Sequence, residues 1–171
     1  MSYGQAVQKA REEAGVTQDQ ISLDLFHSRQ MQSHIETGKR KPQKDTAKRY
    51  VDELDCPYLV METKCEYTNG LSSPVFEGRA IDKHRMSLLS LAETELIVMK
   101  KHIDEAMDAL RMPPEHSSEE ERKRIESAVI EIVEARACLE NLEARLIVRF
   151  KLSIKKIYRT LKARWKSKKW I

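Results

Sequence analysis

The segment from Val16 to Pro42, VTQDQISLDLFHSRQMQSHIETGKRKP, constrains this chain more than any other, because it fits one local architecture and few alternatives. It reads as a helix, a tight turn, a second helix and a basic loop. Thr17 can cap the first helix, with Gln20 three residues on to complete a capping box. Ile21 and Leu25, one turn apart, give that helix an inward face. Ser28 can cap the second helix, whose inward pair is Met31 and Ile35. Gly38 supplies the left-handed residue that ends it, and Pro42 stops a helical restart. Lys39, Arg40 and Lys41 fill the interval. Two short helices at this spacing form the unit that sets one helix in a DNA major groove.

The flanks extend the pattern. Tyr3 to Ala14 predicts an opening helix with Ala6, Val7, Ala10 and Ala14 inward, closed by Gly15. Lys44 to Leu54 predicts another, with Ala47, Tyr50, Val51 and Leu54 inward. Cys56-Pro57 ends it, and Tyr58-Leu59 can add a short fifth turn. The result is a domain of four or five helices over residues 1–60, a size that can just support its own core.

Residues 3–59 resemble the Xre-type helix-turn-helix family, which includes the lambdoid phage repressors. The opening helix GQAVQKAREEAG, then VTQDQIS, then SRQMQSHIETGKRKP carry the resemblance, and I-E-T-G-K-R-K-P is close to that family's I-E-N-G-K-R-x-P. Phe26 stands where the family usually has Gly, and His27 and Gln32 stand where it usually has β-branched apolar residues. The resemblance implies double-stranded DNA as the partner. It assigns Ser28, Arg29, Gln30, Ser33 and His34 to base reading, and Gln18 to a phosphate. Arg29 has the geometry to pair guanine O6 and N7, and Gln30 to pair adenine N6 and N7. Lys39, Arg40 and Lys41 are placed to neutralise phosphates, which adds affinity and salt dependence but little specificity. Glu36 is expected to pair with Arg11 as an exposed structural ion pair that orients rather than stabilises.

Beyond residue 60 no resemblance is evident, and pattern alone is informative. Residues 61–79 carry turn signals at Asn69-Gly70, Ser72-Ser73-Pro74 and Gly78, which favour a linker over a weak hairpin around Asn69-Gly70. From Ala80 to Leu110, Leu89, Ala92, Leu96, Met99, Ile103, Ala106 and Leu110 alternate at spacings of three and four. After Pro113-Pro114, Ser118 and Glu121 form another capping box. Ile125, Ala128, Ile132, Ala135, Leu139, Leu142 and Leu146 then repeat the spacing. Two such seams joined by a short loop predict an antiparallel helical hairpin with coiled-coil-like packing. Val98, Met107, Val129 and Val133 widen the apolar stripe beyond one seam. Pairing of two hairpins into a homodimer would cover it, with Leu89, Leu96, Met99, Ile103, Leu110, Ile125, Ile132, Leu139, Leu142 and Leu146 as the dimerisation set. Packing on the tail or the head is the intramolecular alternative.

Net charge is +4, but its distribution says more. Residues 1–57 hold 9 basic and 9 acidic residues, 58–144 hold 11 and 18, and 145–171 hold 11 and none. The tail, RFKLSIKKIYRTLKARWKSKKWI, is helical in pattern, with Phe150, Ile154, Ile157, Leu161 and Trp165 on one face. It suits three uses: contact with DNA, with an anionic membrane, or with the acidic hairpin.

Charged residues form 34% of the chain and aromatics 6%, which argues for an all-α protein: a helix-turn-helix domain, the linker, and a helical dimerisation region over 80–171 with its basic helix. No apolar run is long enough to span a bilayer, and the first residues lack a signal core, so a cytoplasmic location is expected. Cys56, Cys65 and Cys138 fit no zinc spacing and read as reduced thiols. No nucleophile–base set, metal-ligand pair or phosphate-cradling glycine loop appears, so the chain reads as neither an enzyme nor a cofactor or metal carrier. The functional expectation is a prokaryotic or phage transcriptional regulator, a repressor acting as a dimer on a palindromic operator. The competing expectation is a protein-interaction module, for example a phage-encoded inhibitor of a host complex, that uses the helical region and binds DNA secondarily.

Overall fold

The computed structural model describes residues 1–171 and contains only helices: α1 Tyr3–Glu13, α2 Gln18–Asp24, α3 Arg29–Glu36, α4 Lys44–Leu54, α5 Pro57–Tyr67, α6 Arg85–Glu105, α7 Met107–Arg111, α8 Glu119–Arg149 and α9 Ile154–Ser167, with a 3-10 turn at Pro114–His116. No helix is long and apolar enough to cross a membrane. Two compact units result. One comprises Met1–Glu77 with Leu146–Ile171, the other Gly78–Arg145.

In the first unit, local chemistry fixes the ends of the helices. Ser2 and Gln5 form a capping box on α1, and Thr17 and Gln20 another on α2. Ser28 caps α3 by accepting from the Met31 N–H at 3.1 Å. Tyr3, Ala6, Val7 and Ala10 of α1 build the core with Ile21, Leu25, Ile35, Ala47, Tyr50, Leu54, Cys56 and Leu59. Ala14, expected to face inward, is exposed, because α1 has already ended at Glu13. Gly4 is where α1 meets α3. A Cβ there would lie 2.4 Å from the Ile35 carbonyl oxygen, so only glycine permits the approach.

Residues 61–67 are not a connector. Pro57, whose missing N–H costs nothing in a first turn, starts a helix of 11 residues that buries Leu59, Met61 and Glu62. Asn69 and Gly70, both at positive φ, terminate it, so the turn signal around them ends a helix rather than joining two strands. The basic tail is a separate helix, entered through Lys151 at φ 51°. Its start is tied to the end of α4. Ser153 Oγ donates to Asp55 at 2.6 Å, and the Lys155 backbone N–H donates to the same carboxylate at 3.0 Å.

The second unit is the predicted hairpin of α6 and α8. It is antiparallel: His102 of α6 meets Ser127 of α8 at 3.0 Å, while Glu95 lies beside Glu131 and Glu134. Helix begins only at Arg85, after His84 caps it, rather than at Ala80, and breaks once at Ala106 before α7. Ser118 and Glu121 form the expected capping box on α8. Most of the fully buried residues here are small: Ala92, Ala106, Ala109, Ala128, Ala135, Ala137 and Ala144, with Leu88 and Cys138. All three cysteines of the chain are free thiols.

Candidate nucleic-acid interface

Helix α3 meets solvent along its first turn. Ser28, Arg29 and Gln30 are exposed, and Ser33 and His34 are half-buried. The Ser28 hydroxyl is already engaged as a cap, which leaves its own proton and one lone pair for a ligand. Arg29 Nε lies 3.4 Å from Asp19 of α2, both side chains well exposed, an ion pair that a stronger anion can displace. Lys39 and Arg40 are exposed on the loop after α3. Lys41 is not equivalent to them. Its ammonium pairs with Glu66 at 2.8 Å and sits 4.9 Å from the Tyr67 ring, and its hydrogen bond to Glu66 raises its pKa. Tyr67 donates to the Pro42 carbonyl at 2.6 Å, so α5 holds the far end of the basic loop.

A buried polar network fixes the tilt of α3. Glu36 accepts from Arg11 Nε at 2.6 Å and Nη2 at 2.9 Å, from Gln18 at 2.8 Å and from Gln32 at 2.7 Å. Arg11 also donates to the Val16 carbonyl at 2.9 Å. The Gln32 carbonyl oxygen accepts the Tyr50 hydroxyl and faces His27 Nε2 at 2.8 Å, which assigns the proton of that contact to Nε2. One network therefore joins α1, the loop before α2, α2 itself, the turn, α3 and α4. Burial pushes the Glu36 carboxyl up, but the hydrogen bonds from Arg11, Gln32 and Gln18 outweigh it and hold the group below the usual carboxylate range.

Three sequence expectations change here. The Arg11–Glu36 pair is buried and bidentate, not exposed, so loss of either partner would leave the other charge buried and uncompensated. Gln18 donates one of its two amide hydrogens to Glu36, so only the second remains for a phosphate. Gln32, which the sequence leaves outside the anchoring pair, is fully buried at 0% exposure and is the hub of the network. A polar residue in an apolar slot, with His27 and Tyr50 at compatible positions, is the signal that could have revealed it. Phe26 adopts φ 58°, the left-handed conformation that glycine takes without strain. Its ring stays in solvent, 5.9 Å from the Arg49 guanidinium.

In the hairpin, none of the ten expected dimerisation residues is fully buried. Leu96, Leu110, Ile132 and Leu139 are exposed, joined by Ile97, Val129, Ile130 and Val133. Leu89, Met99, Ile103, Ile125, Leu142 and Leu146 are half-buried.

Neither a curated protein nor a solved structure matches the chain. Residues 7–60 match the family model described as helix-turn-helix, an interval that runs from α1 into α5 and contains the whole polar network. With that match and this geometry together, residues 7–60 form a helix-turn-helix arrangement similar to the Xre type, a fold found in DNA-binding regulators.

Proposed function

We propose that the chain is a sequence-specific transcriptional repressor that binds a palindromic operator as a homodimer. The observation that carries the DNA reading is the exposed polar first turn of α3, held from beneath by the Arg11–Glu36–Gln32 network. Such a helix presents Arg29 and Gln30 to base edges with its tilt already set, so binding requires little further ordering. Ser33 and His34 lie one turn further along, where contacts to the same groove are made. Lys39 and Arg40 then neutralise phosphates beside it.

The dimer reading rests on the hairpin. Exposed branched residues on α6 and α8 form apolar surface of the kind that marks an interaction site. Two hairpins packed as a four-helix bundle would bury it and give a two-fold axis. That symmetry sets two α3 helices one DNA turn apart, about 34 Å, and repression follows from occluding a promoter. The same apolar surface favours the second reading, a protein partner in place of a second copy.

The test is an electrophoretic assay on the DNA upstream of the protein's own coding sequence. Arg29→Ala is expected to lose about 1–3 kcal/mol on the preferred sequence and to relax the preference at one position. Lys39→Ala is expected to weaken all duplexes alike. Unchanged specificity in Arg29→Ala would remove α3 from the reading role.

A further inference from the structure

Resting on the DNA-binding reading of the first unit, we propose that α9 is a second DNA-contacting element, which lays a line of cations along the sugar–phosphate backbone of a duplex. The starting observation is charge. The 27 residues from Arg145 hold 11 Lys and Arg and no Asp or Glu. The structure adds where that charge is kept. α9 belongs to the same compact unit as the helix-turn-helix domain. Its first turn is anchored there by three bonds: Ser153 Oγ and the Lys155 N–H to the Asp55 carboxylate, and Lys155 Nζ to the Asp52 carbonyl at 2.6 Å. The α9 cations therefore travel with the reading domain rather than on a free tail.

The two sides of α9 differ in what they have left to offer. Ile154 is buried, and Ile157, Leu161 and Trp165 are half-buried, with Trp165 stacked edge-on against Tyr158. Every Lys and Arg of the helix is exposed. Arg159, Lys162 and Lys166, spaced three and four apart, fall on one side of the helix and span about 10 Å. A duplex carries roughly one negative charge per 1.7 Å of its axis, so three cations at this spacing each find a phosphate. No carboxylate lies on α9 to oppose them. An interfacial membrane helix needs a free apolar face more than it needs this stripe. Trp170 and Ile171, both exposed beyond the helix, are the features that would serve a bilayer instead, which is why vesicles form one arm of the test.

The experiment compares the full chain with the triple variant Arg159→Ala, Lys162→Ala, Lys166→Ala. All three positions are exposed and alanine favours helix, so the fold is retained. Binding to a mixed-sequence duplex is measured across a salt series, alongside binding to vesicles of phosphatidylserine and phosphatidylcholine. The expected result is a salt slope shallower by about 2.7, or 0.9 for each phosphate no longer neutralised, with sequence preference unchanged. An unchanged DNA slope would overturn the proposal. Loss of vesicle binding with an unchanged slope would overturn it in favour of a membrane role. Arg29→Ala, run in parallel, separates this outcome from failure of the α3 assignment, since that variant alters preference rather than slope.

Discussion

The helix-turn-helix head and the α6–α8 hairpin are both helical and both amphipathic, yet they bury opposite things. The head encloses large side chains, with Tyr50, Ile21, Ile35, Leu59 and Val7 almost inaccessible, and closes a polar network inside them. The hairpin encloses mainly alanines and leaves Leu96, Ile97, Val129, Ile130, Ile132 and Val133 on its surface. Several helices meeting at steep angles can surround a bulky residue. Two helices side by side cannot, so they approach closely over small residues and the branched ones are turned outward. The head leaves isolated apolar residues such as Leu23 and Phe26 in solvent, whereas the hairpin exposes many of them along α6 and α8.

The largest expected effect lies in the head. Arg11→Ala leaves the Glu36 carboxylate buried without its charged partner and is predicted to cost about 3–5 kcal/mol of stability, read as a lower denaturation midpoint. A loss below about 1 kcal/mol would show that the network merely decorates the core. Next comes the hairpin. Ile132→Glu is predicted to leave the melting of the head unchanged while weakening self-association by about 2 kcal/mol or more, measured by sedimentation. A dimer that survives this change would place the interface elsewhere.

The smallest effect is electrostatic. Glu62 is buried in α5, and desolvation raises its pKa, with Glu77 and Glu66 adding to the rise against the N-terminal ammonium. A raised carboxyl contributes stability that is full below the ordinary Glu value, about 4.3, and is lost as pH rises through the native value. Glu62→Gln is therefore expected to stabilise the head slightly at neutral pH, with the gain fading in acid. Glu36 has the opposite sign: its depressed pKa supplies stability above about 4.3 that disappears as pH falls through the native value. Urea titrations of the wild type and Glu62→Gln at several pH values read both signs.

The same contrast explains what the sequence disclosed. Capping residues act on their immediate neighbours, so Thr17, Ser28, Gly38 and Ser118 mark real helix ends. The heptad-like seams likewise place α6 and α8 in a hairpin. Burial of Gln32 cannot be read from spacing, because it depends on Tyr50 and His27 arriving from elsewhere in the fold. α5 reads in the sequence as only a short turn because its buried residues include Glu62 and its apolar residues do not follow one face. The anchoring of α9 to Asp55 joins residues about a hundred positions apart, which no local pattern encodes. Among the expected phosphate ligands, Lys39 and Arg40 are exposed while Lys41 turns to Glu66, a difference set by the position of α5.

The most direct measurement is selection of bound sequences from a randomised duplex pool by the full-length protein. A dimer with two reading helices predicts enrichment of two copies of one short motif, related by two-fold symmetry and centred about 10 base pairs, or a multiple of that, apart. A single unpaired motif would contradict the hairpin as the dimer interface. Recovery of no preferred sequence would contradict α3 as the element that reads DNA.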